Sequence, residues 1–348
     1  MNKKTFALTI FLTIAFMNNL NAQSQVLDWK VLSNKQFNCS DISQTTLFID
    51  NDNNAFVLIG IMGENRFGNN FLYMNSNWVV VDKYGILLNG FIKDGSLQLA
   101  FKKDEEIVIY KVQKDIMLAH RIKIMGVPQG IDPSHSRVIS VSEQNSSNYF
   151  LKRCVKLPAN PVERLRTILS GGHGIYYKKP CLSEIQDDKM LKYQKIRYGG
   201  KIDESYVIEE VATGKDLIHF LGFRMPEEAG TQLVLNETVV LHYAGYDVKK
   251  KKIIRKHSIY ENIPKYDRNT DTNSYYGQLS IDGVDDDVFV VFSWVEKKVN
   301  IKKFNIKEVK SDIYYCRLYN NSFGDIEKIA NGFLPLVKID FVGNVHVI

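Results

Sequence analysis

A strand, an aspartate-led polar turn and a second strand recur along this 348-residue chain. Leu47-Phe48-Ile49-Asp50 leads through a turn to Ala55-Phe56-Val57-Leu58. Leu279-Ser280-Ile281-Asp282 leads likewise to Val288-Phe289-Val290-Val291, and Val337-Lys338-Ile339-Asp340 to Val345-His346-Val347-Ile348. Aspartate suits such a corner because its carboxylate accepts hydrogen bonds from backbone N–H groups two residues further on. Asp282 and Asp340 are 58 residues apart, and Asp50 to Asp282 spans 232 residues, four such steps. A fixed period of that size marks a chain built from one repeated supersecondary unit. The other apolar runs are short, rich in Val, Ile, Tyr and Phe, and bounded by Asn, Asp, Gly or Lys, which reads as all-β. The nearest exception is residues 160–170, where Pro161 could open a short helix carrying Val162, Leu165 and Leu169.

A second element recurs in the other half of the unit. Gly174-Ile175-Tyr176-Tyr177-Lys178 precedes Tyr193-Gln194-Lys195-Ile196, and Asp312-Ile313-Tyr314-Tyr315-Cys316-Arg317 precedes Ile326-Glu327-Lys328-Ile329. Together these make four strands per unit. Four-stranded sheets repeated every 50 to 60 residues are the signature of a β-propeller, in which radial stacking buries both faces of each sheet. Six units can be placed, at 45–91, 96–128, 136–200, 205–262, 275–329 and from 334 onward, which predicts a six-bladed propeller, with seven blades as the alternative. The last unit ends after two strands. A ring must close, so the N- and C-terminal strands are expected to share the last blade, with Leu27, Trp29 and Val31 of segment 26–37 packing in the C-terminal unit. A sandwich plus a barrel is the competing all-β arrangement.

At residues 276–348 the chain resembles the sialidase-like, BNR-repeat-type β-propellers. The likeness rests on Gly277-Gln278-Leu279-Ser280-Ile281-Asp282, Val288-Phe289-Val290-Val291-Phe292-Ser293-Trp294, Asp312-Ile313-Tyr314-Tyr315 and Asp340-Phe341-Val342-Gly343-Asn344-Val345-His346-Val347. The family's S-x-D-x-G-x-T-W box is matched only loosely, by Asn320-Asn321-Ser322-Phe323-Gly324-Asp325. The resemblance therefore implies a fold with more authority than an activity.

Residues 1–22 read as a signal peptide: Lys3 and Lys4 precede a twelve-residue apolar stretch from Phe6 to Met17, with cleavage expected near Ala22. Such a stretch is too short for a roughly 30 Å hydrocarbon core. Residues 23–348 should then form one propeller domain, periplasmic or secreted, not an integral membrane protein, and monomeric. A net charge of +6 is too mild to imply nucleic acid. The densest basic run, Lys249 to Lys252 with Arg255 and Lys256, reads as a solvated hairpin tip. The four cysteines, Cys39, Cys154, Cys181 and Cys316, lack any C-x-x-C spacing, so no metal site and no cofactor are predicted. Oxidation could join them in any of three pairings.

Binding groups of propellers lie where the loops entering each inner strand, and those joining the second and third strands, converge on the axis. Phe223-Arg224-Met225-Pro226 looks like the F-R-I-P element of sialidases, and the likeness implies that Arg224 holds a substrate carboxylate through paired hydrogen bonds. The polar segment 266–276, with Arg268, Tyr275 and Tyr276, suits sugar recognition, since ring faces stack on C–H surfaces while polar groups meet hydroxyls. His173, in Gly171-Gly172-His173-Gly174, followed by Tyr176, is a candidate base for lyase chemistry. The expected function is binding or processing of a glycan or other polymer at the axial face, by a glycoside hydrolase or polysaccharide lyase if it is an enzyme. A noncatalytic protein-interaction scaffold of a cell-surface or periplasmic system is the alternative.

Overall fold

The computed structural model describes residues 42–52, 54–61, 69–74, 77–113, 117–124, 136–141, 148–156, 177–187, 189–196, 205–214, 216–225, 240–260, 265–267, 272–284, 287–300, 305–319, 322–333, 335–339 and 343–347. Those residues form successive antiparallel sheets, each made from one continuous stretch of chain. The first sheet holds β1 (Ile42–Ile49), β2 (Ala55–Ile61), β3 (Asn69–Met74) and β4 (Asn77–Val80). The second holds β5 (Ile86–Lys93), β6 (Ser96–Lys103), β7 (Glu106–Val112) and β8 (Met117–Ile124). In the third, β9 (Ser136–Ser140), β10 (Asn148–Lys156) and β11 (Tyr177–Gln186) are edged by β12 (Lys189–Met190) and β13 (Gln194–Lys195). The fourth comprises β14 (Ser205–Thr213), β15 (Leu217–Met225), β16 (Val240–Asp247) and β17 (Lys252–Tyr260). The fifth comprises β18 (Lys265–Asp267), β19 (Thr272–Val284), β20 (Asp287–Asn300), β21 (Asn305–Tyr319), β22 (Ser322–Phe323) and β23 (Glu327–Asn331). A last pair, β24 (Val337–Ile339) and β25 (Val345–Val347), follows.

The fold is an all-β propeller of five blades, not six or seven. In place of the expected sixth blade the described residues show a two-stranded sheet, β24 and β25, of three residues each. The expected unit borders also shift: Ile86–Lys93 is the inner strand of the second blade, not the end of the first. The sharp corner that separates them is a single turn of 3-10 helix at Asp82–Tyr84 followed by Gly85 at φ +135°. Segment 26–37, the short helix near 160–170 and the Asp340 corner lie outside the described residues.

Radial packing is visible in the seams. Phe48, Phe56 and Leu72 of the first blade pack with Leu99, Phe101 and Tyr110 of the second. Ala100 and Ile107 meet Val138 and Phe150 across the next seam, and Leu151 and Leu182 meet Phe220 and Tyr246 across the third. The fourth seam sets Leu221 and Tyr243 against Tyr276, Phe292 and Trp294. β24 touches β19 on one side and β1 on the other, so the head and tail of the described chain are neighbours.

Polar groups bind inner strands together where ladder hydrogen bonds do not reach. Asn89 donates from Nδ2 to the Val138 carbonyl (2.9 Å) and accepts from the Val138 N–H (2.8 Å), imitating a peptide group between the second and third blades. Asp50 holds its own corner as expected, accepting from the Asp52 and Asn54 N–H groups. Asp282 does something else. It lies inside β19, and its carboxylate accepts from the Gly283 N–H and from the Ile339 N–H of β24 (2.9 Å). Ser280 Oγ likewise accepts from the Val337 N–H (3.1 Å). A turn-forming residue by pattern is thus a seam-forming residue in the fold.

Candidate functional site

The inner strands begin at one end of the ring, where the chain arrives from the preceding sheet. Four of them carry a β-bulge or irregularity against their second strand: near the start of the strand between Ile42 and Gln44 and between Leu87 and Asn89, and in its middle between Ile208 and Glu210 and between Tyr276 and Leu279. Bulges re-aim side chains and concentrate near functional sites. In β14 the extra residue is Glu209, and Glu210 resumes the ladder opposite Leu221 of β15.

Arg137, second residue of β9, reaches across the seam to this bulge. Its Nη1 lies 3.0 Å from Glu210 Oε2, and its Nη2 donates a short hydrogen bond to the Glu209 carbonyl. The side chains of Arg137 and Glu210 retain 24% and 32% of their exposure, so the pair is half withdrawn from water. Burial is the largest single influence and would lower the Arg137 pKa, but the charge and hydrogen bond of Glu210 together with the charge of Glu209 outweigh it and the net shift is upward. The guanidinium is a permanent charge at the seam between the third and fourth blades.

On the neighbouring inner strand β19, Tyr275 and Tyr276 separate to opposite faces. Tyr276 is 9% exposed and sits in an aromatic cluster, 5.2 Å from Phe223, 5.1 Å from Trp294 and 6.1 Å from Phe292 between ring centroids. Its ring packs in the core. Tyr275 pairs with Val295 on the other face and stays half-buried. One step along that face Gly277 is required, since a Cβ there would come within 2.2 Å of Ser293 Oγ.

The backbone of Arg224 lies near the end of β15, paired with Tyr206 and Val240, one residue beyond Phe223. The Phe223–Tyr276 contact brings that end of β15 to the level of Tyr275. The Arg224 side chain, Arg268, His173 and Tyr176 lie outside what is described. Sequence reasoning missed Arg137, Glu209 and Glu210. The available signal was an arginine and a pair of glutamates within innermost strands of adjacent units, where apolar residues are the rule.

Two of the described histidines, His219 and His257, pack against aromatic rings. His219 is fully buried, its Nδ1 is 2.8 Å from the Tyr243 hydroxyl, and Tyr243 in turn stacks with His257. Lys249, Lys250 and Lys251 lie exposed at the β16–β17 tip and pair with Asp216, Asp247 and Glu184. Among the described residues no group of three or more His, Cys, Asp or Glu could hold a metal ion. None of their helices is long and apolar enough to cross a membrane. Cys181 is disulfide-bonded, and Cys316 is a buried free thiol.

No protein-family model matches the chain, and no curated protein matches it. Solved structures with a similar fold include the β-propeller domain of the Trilobed protease from Pyrococcus furiosus, at 14% identity, covering 84% of this chain and 73% of that one with TM-score 0.38. A polysaccharide lyase described as an ulvan lyase matches at 11% identity, 85% and 72% coverage and TM-score 0.41. An α-L-arabinofuranosidase from Fusarium graminearum matches at 8% identity, 87% and 86% coverage and TM-score 0.44. At such scores these likenesses carry no weight for activity or substrate.

Proposed function

We propose that this chain is an exported propeller that binds a glycan at the end of the ring where its inner strands begin. The observation that carries the reading is the presence of the Arg137–Glu210 pair and the half-buried Tyr275 on inner strands, with the Arg224 backbone near the level of Tyr275. A tyrosine face takes sugar C–H groups, while a bulge-borne carboxylate and a guanidinium offer an acceptor and donors to hydroxyls. The resemblance to sialidase-like propellers adds a role for Arg224 as the contact for a sugar carboxylate. The Cys181 disulfide supports residence in an oxidising compartment, as the basic and apolar N-terminus does. Glycan-array binding by the mature chain tests this. Tyr275→Ala should abolish binding while the thermal midpoint stays put, and Arg224→Gln should weaken acidic glycans selectively. An array with no bound glycan, or undiminished binding by Tyr275→Ala, overturns it.

A further inference from the structure

The fifth blade is built from longer strands than the rest. β19, β20 and β21 run for 13, 14 and 15 residues, whereas no described strand of the other blades exceeds ten. At the start of β19, Thr272 to Tyr275 pair with Val295 to Lys298, and β20 and β21 continue together to the Asn300–Asn305 rung. Burial stops abruptly along this ladder. Val295 and Ser311, opposite one another, are 4% and 6% exposed, while Glu296 and Lys310 on the next rung are exposed. From that rung outward no described side chain of β20 or β21 is buried, so the two strands leave the ring as an arm.

The arm is basic. From Glu296 to Lys310 the sequence holds six lysines against two glutamates, a surplus of four in a chain whose net charge is +6. The lysines of the β16–β17 tip each reach a carboxylate. Among the described residues, neither Lys297 nor Lys298 is in an ion pair. The pleat gives these two different neighbours. Tyr275 faces Val295 across the ladder and Lys297 lies two residues on from Val295, so Tyr275, Val295, Lys297 and its partner Val309 share one face. Lys298 lies on the other face with Glu296. Tyr275 and Lys297 are both half-buried, and Val309 beside them is 41% exposed.

We infer that Lys297 binds the carboxylate or sulfate groups of an acidic polysaccharide that crosses this arm. The inference rests on the glycan reading of Tyr275 and narrows it to charged chains. Diagonal neighbours on adjacent strands lie about 7–8 Å apart, a span that a disaccharide bridges. The tyrosine ring takes the C–H side of one sugar, and the ammonium, with three donors, takes the charge of the next. The surplus charge of the arm raises the local concentration of such a polyanion. That charge sits on two strands, which suits a flexible chain better than the broad plane of a bilayer or the long charged ridge of a duplex.

Titration calorimetry of the mature chain with polygalacturonate, dextran sulfate and neutral dextran tests it. One or both charged polymers should bind at low salt at least about tenfold more tightly than neutral dextran. Lys297→Gln should weaken that binding about fivefold and lower the slope of log K against log salt by roughly 0.7, the value for one charge neutralised on a flexible polyanion. Lys297→Arg should restore it, Lys298→Gln on the other face should cost less than about twofold, and all three variants should keep the wild-type thermal midpoint. Undiminished binding by Lys297→Gln overturns the inference. So does binding of DNA or anionic phospholipid vesicles as tight as that of the polysaccharides. Equal binding of neutral dextran, abolished by Tyr275→Ala, also overturns it while leaving the glycan reading in place. Charged-polymer binding that is lost in Lys297→Gln but not in Tyr275→Ala supports the contact at Lys297 and refutes the reading of Tyr275.

Discussion

Removing the Arg137 guanidinium should loosen the ring at the seam between its third and fourth blades. Arg137→Met keeps the apolar stem but leaves the Glu210 carboxylate half-buried without its cation and withdraws a donor from the Glu209 carbonyl. At a separation of 3.0 Å the gross attraction is about 5 kcal/mol for an effective dielectric near 20. Desolvation of two partly covered ions cancels most of it. Exposed pairs are worth about 0–1 kcal/mol and breaking fully buried ones costs about 3–5, so this pair, lying between, should show a coupling of about 1–2 kcal/mol. For a chain of this size a loss of that order lowers Tm by roughly 1–3 °C. The assay is a double-mutant cycle in urea with Arg137→Met, Glu210→Gln and both together. Because the pair is partly shielded, about 0.5 M salt should leave most of the coupling in place. A coupling below about 0.3 kcal/mol, or one abolished by salt, would show that the contact is a surface ion pair and does not join the blades.

The Cys316 thiol, pushed up to about 12 by burial, should resist a thiol reagent at pH 8 and react only after unfolding. Rapid native labelling would contradict its place in the core. His257 is held below its ordinary pKa first by burial and then by Arg255, so the unfolded chain binds its proton more readily. Its contribution to stability is complete above about pH 6.5 and declines as pH falls toward the depressed folded value. His257→Gln should flatten that part of a stability–pH curve, and an unchanged curve would refute the assignment. Asn89→Leu removes both links to the Val138 backbone and should cost about 1–3 kcal/mol in urea unfolding. Gly90→Ala should also destabilise measurably, because its Cβ would fall 2.6 Å from the Phe48 ring; a neutral result there would mean that the first two inner strands stand further apart.

The repeated strand and corner were legible because they depend on local chemistry: alternation of apolar residues, and a carboxylate capping its own turn, as Asp50 does. The count of blades was not. It depends on which strand pairs with which, and β5 follows β4 so closely that the sequence reads them as one unit until Gly85 is seen to turn the chain. Asp282 shows the same limit from another side. Its pattern matches Asp50, yet strand β19 continues past it and the carboxylate is spent on the neighbouring sheet. At the candidate site Tyr275 and Tyr276 look equivalent as a pair, and only the pleat decides that one enters the aromatic core while the other stays half-buried. Arg137 and Glu210 lie 73 residues apart, so nothing local could couple them.

The ring itself is most directly tested by methyl NOE spectroscopy on selectively labelled protein. Leu336 should show cross-peaks to Leu47, Val57 and Ile59 of the first blade, while its neighbour Val337 shows them to Val291 of the fifth, placing the closing pair against both. Cross-peaks to the fifth blade alone, with the methyls of Leu47, Val57 and Ile59 free of any contact from residues 336–345, would mean that the sheets do not close on themselves.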